Sequence, residues 1–432
     1  MDTIMERQVN DTLKDRIVGC MVGGAVGDAL GYAVEFDSRR DILRKYGENG
    51  ITRYELDPKT GKALISDDTQ MSLFTAAGCL LGMTRGACRG IMGHLHGYCG
   101  YTYLNWLTTQ NSPYERVMKS LNGDSMNQDI RVDTWLMRVP ELYSLHAPGN
   151  TCLSALESIA RGNEPKNDSC GCGGVMRTAP IALICAAHQY GGNSADEAAQ
   201  AAKITHKHPL GFIPSAMLDI ILRFILESEG TPKEAILNAV LHSIQTIGSV
   251  CNEEEGSTYA ALYPRHVRTM IDLMTKAVEL TRSQKTDAEC IRGLGEGRTG
   301  HEALAIAVFC ALRHPDSFED AVVAAVNHDG DSDSTGAVCG NITGALLGRN
   351  AIPEHYTKNL ELLDVIEEIA EDLYTGCVIS EYCEFDTAEK YRWSLMYMDR
   401  LYWKPKDRMI SRIKDGSLFR DLGWKDWPKG LR

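Results

Sequence analysis

The chain has 432 residues, with 45 Lys+Arg against 58 Asp+Glu and a formal net charge of −13. With 44% hydrophobic and 24% charged residues it reads as a globular protein, which excludes a disordered or fibrous class. The acid excess also excludes a generic nucleic-acid binder, because phosphate backbones are held by basic surfaces that displace counterions.

The N-terminal sequence MDTIMERQVNDTLKDR has no apolar stretch of the kind a secretory signal needs. No uninterrupted apolar run reaches the ~18 residues of a membrane span. These features predict a cytoplasmic protein with no membrane partner. A chain of this length buries a full core without disulfides or a structural metal. The 14 cysteines are scattered without a framework, so they are expected as reduced thiols packed like small hydrophobes.

In chain order, the first unusual feature is a glycine stripe at Gly19, Gly23, Gly27 and Gly31. Positions four apart share one helix face. Each helix-interior glycine costs about 1 kcal/mol relative to alanine, and close approach of another backbone is the obvious compensation. Glu35 follows the stripe and could accept or relay a proton. Ser66-Asp67-Asp68-Thr69-Gln70 precedes an apolar helix expected over 71–83, where Ser66 suits an N-cap and the acids suit the helix dipole.

Further helices are expected over 181–188, 216–227, 302–313 and 360–374, and alternating strand patterns are scarce. The predicted fold is therefore an all-α domain over residues 10–383. Residues 384–432 carry net positive charge and four of the six tryptophans, Trp393, Trp403, Trp424 and Trp427. That aromatic content predicts an extension packed on the core or on a partner surface.

The Gly-rich loop Ser169-Cys170-Gly171-Cys172-Gly173-Gly174-Val175-Met176-Arg177 runs into an apolar helix. Its glycines let backbone N–H groups approach an anion such as a pyrophosphate. Thr205-His206-Lys207-His208-Pro209 places two histidines in a turn. Gly295-Glu296-Gly297-Arg298-Thr299-Gly300 matches a dinucleotide fingerprint literally, but no strand precedes it, so it is read as a loop opening the next helix.

Asp329-Gly330-Asp331-Ser332-Asp333-Ser334 also opens a helix, and a second stripe follows at Gly336, Gly340, Gly344 and Gly348. Three aspartates in five residues repel one another unless cations sit between them. An EF-hand fails here, since its sixth position is Ser334 and its twelfth is Gly340. Two acidic helix starts, each with hydroxyl and carboxylate oxygens, could instead face one another across two hard divalent cations, Mg²⁺, Mn²⁺ or Ca²⁺.

In sequence order, GCMVGGAVGDALGYAVEF, SDDTQM, YLNWLTTQ, APGNTCLSAL, GCGGVMRTAPIAL, THKHP and NHDGDSDSTGAVCGNITGALLG resemble the ADP-ribosylglycohydrolase family. The resemblance implies an all-α fold and a hydrolase with two Mg²⁺, or Mn²⁺ in their place. It implies metal ligands at Ser66, Asp67, Asp68, Asp331, Asp333 and Ser334. Catalytic roles fall on Glu35, Asp67, Asp68 and Asp331. Substrate contacts fall on Gly173, Gly174, Val175, Met176 and His206. The expected substrate is an ADP-ribosylated protein, modified on arginine, or a small ADP-ribose conjugate. A nucleoside-cleaving glycosidase and a non-catalytic ADP-ribose binder are the alternatives. A monomer is the favoured state. The chain departs from the family pattern at Asp329, an additional acid expected beside the metals, and at Arg298, where a Trp is common. An acidic position between the first two motifs could be Asp133.

Overall fold

The two glycine stripes pack against each other. In a computed structural model describing residues 2–122, 134–188, 190–249, 258–383 and 387–398, helix Asp2–Tyr32 runs antiparallel to helix Ser332–Leu347. Gly19 meets the carbonyl of Gly344, Gly23 that of Gly340, Gly27 that of Gly336, and Gly31 that of Ser332. A methyl group at any of these positions would overlap a backbone oxygen. The stripe thus trades helix propensity for direct backbone contact. It also fixes function, since the antiparallel register lays the C-terminal end of the first helix beside the acidic start of the other.

The chain divides into two units. The first comprises Met1–Leu73 and His146–Tyr374. Around the glycine-paired helices it packs Ala179–Ala187, Pro209–Glu227, Gly300–Arg313 and Phe318–Val326, whose apolar faces form the core. The helix expected over 216–227 starts at Pro209, whose fixed φ suits a first turn, and the chain absorbs Pro214 inside it. Pro209–Glu227 is long and apolar enough to cross a membrane, with mean hydropathy 1.7, but 78% of that stretch is buried in the protein.

The helix expected from residue 360 begins at Leu363 instead. The Ala63 N–H donates to Asn359 and its carbonyl accepts from Glu361 N–H, which holds Leu360 in an extended bridge. Leu362, at φ 56°, then turns the chain into the helix.

The second unit comprises Phe74–Leu145 and Thr375–Arg432. It contains helices Leu95–Asn111, Tyr114–Asn122 and Ala388–Tyr397 and two short 3₁₀ turns. Ala388–Tyr397 lies in the expected extension and buries Tyr391, Trp393, Met396 and Tyr397. The Trp393 indole N–H donates to Thr84 Oγ1 at 2.8 Å. Trp403, Trp424, Trp427 and Asp133 lie outside the described residues. Among the described residues there are two isolated β-bridges and no strand, and every cysteine is a free thiol. The fold is all-α.

Candidate functional site

The site begins with Asp28, an acid placed within the glycine stripe and fully buried. Its carboxylate accepts from the backbone N–H groups of Ser66, at 3.0 Å, and Thr69, at 3.1 Å, and from the Thr69 hydroxyl. The N-terminal helix thereby caps the start of helix Asp67–Arg89. Ser66 Oγ accepts from Asp68 N–H at 3.1 Å, the local cap expected from sequence. The segment 146–149 closes from the other side: His146 O accepts from Asp67 N–H, and Gly149 N–H donates to Asp67 Oδ2 at 3.1 Å.

On the opposite wall, Asp331 is the N-cap residue of Ser332–Leu347, and its own N–H donates to Glu296 O at 2.8 Å. Gly330, at φ 135°, packs so closely on the Glu296 carbonyl that a side chain could not fit. The 295–300 segment does open helix Gly300–Arg313. It also clasps the Gly-rich loop, since Cys172 N–H donates to Arg298 O and Gly300 N–H donates to Cys170 O. This clasp joins two motifs, a role its sequence did not signal.

The result is a cavity of about 180 Å³. Glu35, Asp67, Asp68, Asp331 and Asp333 supply five carboxyls to its wall, and Ser334, Gly173, Met176 and His206 also line it. Ser66, Gly174 and Val175 do not line it. Ser66 and Val175 are fully buried, and Gly174 packs on the carbonyl of Gly211. Asp329 points elsewhere: it is exposed, and its Oδ1 accepts from the Arg39 N–H at 2.9 Å, so it caps a surface helix. Sequence reasoning missed Cys152 and Cys172 as wall residues. The Cys172 thiol donates to Asp331 Oδ2 at 3.3 Å. Cys172 comes in with the Gly-rich loop, and Cys152, on helix Asn150–Ala160, is brought in by long-range packing.

Arg177, fully buried, ties the loop to the histidine turn. Its guanidinium donates to Gly173 O, to Ala201 O at 3.4 Å and to Thr205 Oγ1 at 2.6 Å. Thr205 Oγ1 lies 2.9 Å from His206 Nδ1. Burial, with Arg177 nearby, pushes the His206 imidazole down to about 3, so it is neutral beside Gly171 and Gly173. Lysine cannot reproduce the guanidinium fork. Arg177→Met is expected to cost roughly 3 kcal/mol or more, read as a lower urea midpoint, because several buried acceptors lose their donor at once.

The acids are electrostatically unhappy on their own. Burial pushes Asp28 up to about 6 and Asp67 up to about 7, with Asp28 and Asp331 adding to the shift of Asp67. Burial and the neighbouring Asp331 and Asp67 push Glu35 up to about 8. Asp68 and Asp333 are also raised well above the carboxylate range, by burial first, then by Asp28, Asp67 and Asp331 around Asp68 and by Asp68 and Asp331 around Asp333. Among the described residues no Lys or Arg lines the cavity. Asp68 Oδ2 is buried without a hydrogen-bond partner. Such a carboxylate-rich wall fits hard divalent cations.

A stability prediction follows. Between the unfolded values of 3.8 to 4.5 and the raised folded values, the folded chain binds more protons than the unfolded one. Stability of the cation-free protein therefore falls as pH rises from about 5 to about 8. The melting temperature in chelator should drop across that range, and divalent cation should restore most of it at the alkaline end. A flat profile in chelator would contradict the acid cluster described here.

A family model described as ADP-ribosylglycohydrolase matches residues 9–381. The chain is 24% identical over 219 residues to the ADP-ribosylhydrolase ARH3 of Homo sapiens, covering 48% of this chain and 58% of that protein. It is 24% identical over 235 residues to the ADP-ribosylhydrolase ARH1 of Dictyostelium discoideum, covering 47% and 60%. The chain thus spans less than two thirds of these relatives' own lengths. A solved structure described as an ADP-ribosylglycohydrolase-related protein complex shares the fold, with a TM-score of 0.54 and 23% identity over 84% of this chain and 99% of that one. With the family model spanning the acidic helix starts, the Gly-rich loop and the glycine-paired helices alike, the chain belongs to the ADP-ribosylglycohydrolase family.

Proposed function

We propose that this chain is a Mg²⁺-dependent hydrolase that cleaves the N-glycosidic bond between ADP-ribose and a modified arginine side chain, releasing ADP-ribose. The observation that carries the reading is one cavity in which five carboxyls face the Gly-rich loop and a neutral His206. Family membership and the names of the two relatives support the substrate class. At about 180 Å³ the cavity lies below the roughly 300–1,000 Å³ of sites that enclose whole drug-sized ligands. It suits the distal ribose, with the adenosine half reaching outward.

Asp67, Asp68, Asp331, Asp333 and Ser334 would hold two Mg²⁺, with Mn²⁺ as a substitute and Ser66 positioning the first pair from behind. When bound, such ions supply charge that orients vicinal hydroxyls and activates water. The chain's own groups do the rest. Gly149 N–H holds Asp67 Oδ2 in place, and the Cys172 thiol holds Asp331 Oδ2. Glu35 Oε2, buried without a hydrogen-bond partner, is placed to take the proton of a water attacking the anomeric carbon. The absence of a side chain at Gly173 lets His206 and Cys152 close around the ligand, where a Cβ would meet the imidazole at 2.9 Å.

The test is incubation of the purified protein with arginine-ADP-ribosylated protein, Mg²⁺ and, in parallel, chelator. Chelator-sensitive release of free ADP-ribose supports the proposal. Release only from other linkages, or from a nucleoside or small conjugate, would reassign the acceptor. Tight binding of ADP-ribose without turnover on any substrate would make the chain a binder.

A further inference from the structure

Two cysteines far apart in sequence meet in the second unit. Cys88 sits in the last turn of helix Asp67–Arg89 and is only 2% exposed. Cys377 lies just beyond helix Leu363–Thr375, past a turn at Gly376, φ 70°, and is partly exposed. The Cys88 thiol is in hydrogen-bond contact with the Cys377 sulfur. Thr84 and Trp393 stand against the same sulfur and are themselves joined, indole N–H to hydroxyl, at 2.8 Å. The Cys377 backbone N–H donates to Met83 Sδ at 3.3 Å, and its thiol, when protonated, donates to Ile379 O at 3.2 Å.

Burial pushes the thiols of Cys20, Cys172, Cys310 and Cys339 up, which keeps them protonated and inert. Cys377 moves the other way. The Cys88 thiol, donating to its sulfur, outweighs its burial and pulls it down to about 7, and Thr84 and Trp393 add to the effect. Cys88 is raised, first by the same contact and then by burial, so the pair keeps its proton on Cys88 and its charge on Cys377. Cys383 is near enough to act on Cys88 electrostatically. Among the described residues, however, no group of three metal-ligating side chains that includes these thiols converges within 4.8 Å. The geometry offers a pair of sulfurs and not a metal cage. Both cysteines sit at helix ends, where the chain yields more readily than in mid-helix when two sulfurs close to bonding distance.

We propose that Cys377 and Cys88 form a reversible disulfide in response to peroxide, with Cys377 as the attacking sulfur and Cys88 as the resolving one. The Cys377 thiolate attacks one peroxide oxygen and the O–O bond breaks. Cys377 becomes a sulfenic acid, and the departing hydroxide takes up a proton as water. The Cys88 sulfur then attacks the sulfenic sulfur, the S–O bond breaks, and hydroxide leaves with the Cys88 proton as a second water. Two thiols are oxidised by two electrons in all, and one peroxide is reduced to two waters. A dithiol reductant reverses the bond by exchange. The inference is independent of the chemistry in the acidic cavity.

The test is thiol mapping of the full chain by peptide mass spectrometry, before and after hydrogen peroxide. In the reduced chain, iodoacetamide should label Cys377 roughly tenfold or more faster than Cys88. After peroxide, the monomeric fraction should yield a linked peptide joining Cys88 to Cys377, lighter by two hydrogens and lost on treatment with dithiothreitol. In Cys88→Ser the sulfenic acid on Cys377 should persist and be trapped by dimedone, whereas Cys377→Ser should leave Cys88 unmodified. The labelling order and the linked peptide are read on the unaltered chain, so the test stands even if a serine variant unfolds. Three results would overturn the pair: both thiols recovered as free after excess peroxide, Cys377 linked to Cys383 in place of Cys88, or Cys88 labelled as fast as Cys377.

Discussion

Asp67→Asn and Asp331→Asn should each lower the rate of ADP-ribose release by about 10²–10³-fold or more, while the protein stays folded. The magnitude is that of removing one preorganised charge from a dry site. The two residues hold opposite walls of the cavity, one at the start of helix Asp67–Arg89 and the other at the start of Ser332–Leu347. Each is also a source of the repulsion that raises Glu35. Replacing either with a neutral amide should therefore make the cation-free protein more stable at pH 8 than the parent, not less. That opposite movement of stability and turnover separates lost chemistry from lost fold. The two measurements are chromatographic quantification of ADP-ribose and thermal melts in chelator. Parent-like turnover in both variants would remove these acids from the chemistry.

The second large effect is structural. Gly27→Ala and Gly340→Ala should each destabilise the chain by about 3 kcal/mol, the upper part of the range for overpacking. The added methyl meets a backbone carbonyl, Gly336 in one case and Gly23 in the other. A helix backbone cannot rotate away as a side chain can. The double variant should cost less than the sum of the single ones, because the first methyl already separates the helices. Gly97→Ala is the control. Gly97 sits in a helix with nothing near its absent Cβ, so alanine there should be neutral or mildly stabilising. Chemical denaturation of all four proteins reads the outcome. Equal effects at Gly27 and Gly97 would mean that helix propensity, and not backbone contact, governs the stripe.

The sequence made the glycine stripes legible as close-packing faces, because a period of four on a helix has one geometric meaning. It did not say that the two stripes are each other's partners, since nothing local encodes an approach across some three hundred residues. The acidic helix starts were legible for a similar reason: carboxylates and hydroxyls at an N-terminus follow helix-cap chemistry. The role of Asp28 was not. It looks like one polar residue on a small-residue face, and only the long-range hydrogen bonds to Ser66 and Thr69 reveal a cap supplied in trans. Asp329 shows the converse. Its neighbours in sequence suggest a ligand, but Gly330 turns the chain so that Asp329 faces the surface while Asp331 faces the cavity. The Arg298 segment was legible as a helix opening, yet its carbonyl clasp on Cys172 depends on two loops meeting.

The antiparallel pairing of Gly19, Gly23, Gly27 and Gly31 with the helix that begins at Ser332 has a consequence for biosynthesis. At about 5–20 residues per second, the first helix waits roughly 15–60 s before its partner is made. During that time its glycine face has no surface to fit, and Glu35, Asp67 and Asp68 stand apart from Asp331 and Asp333. The chain therefore cannot complete its charged centre until the helix that starts at Ser332 has been made. The repulsive step is deferred until the last long helices have emerged, when cations and the rest of the core are available together.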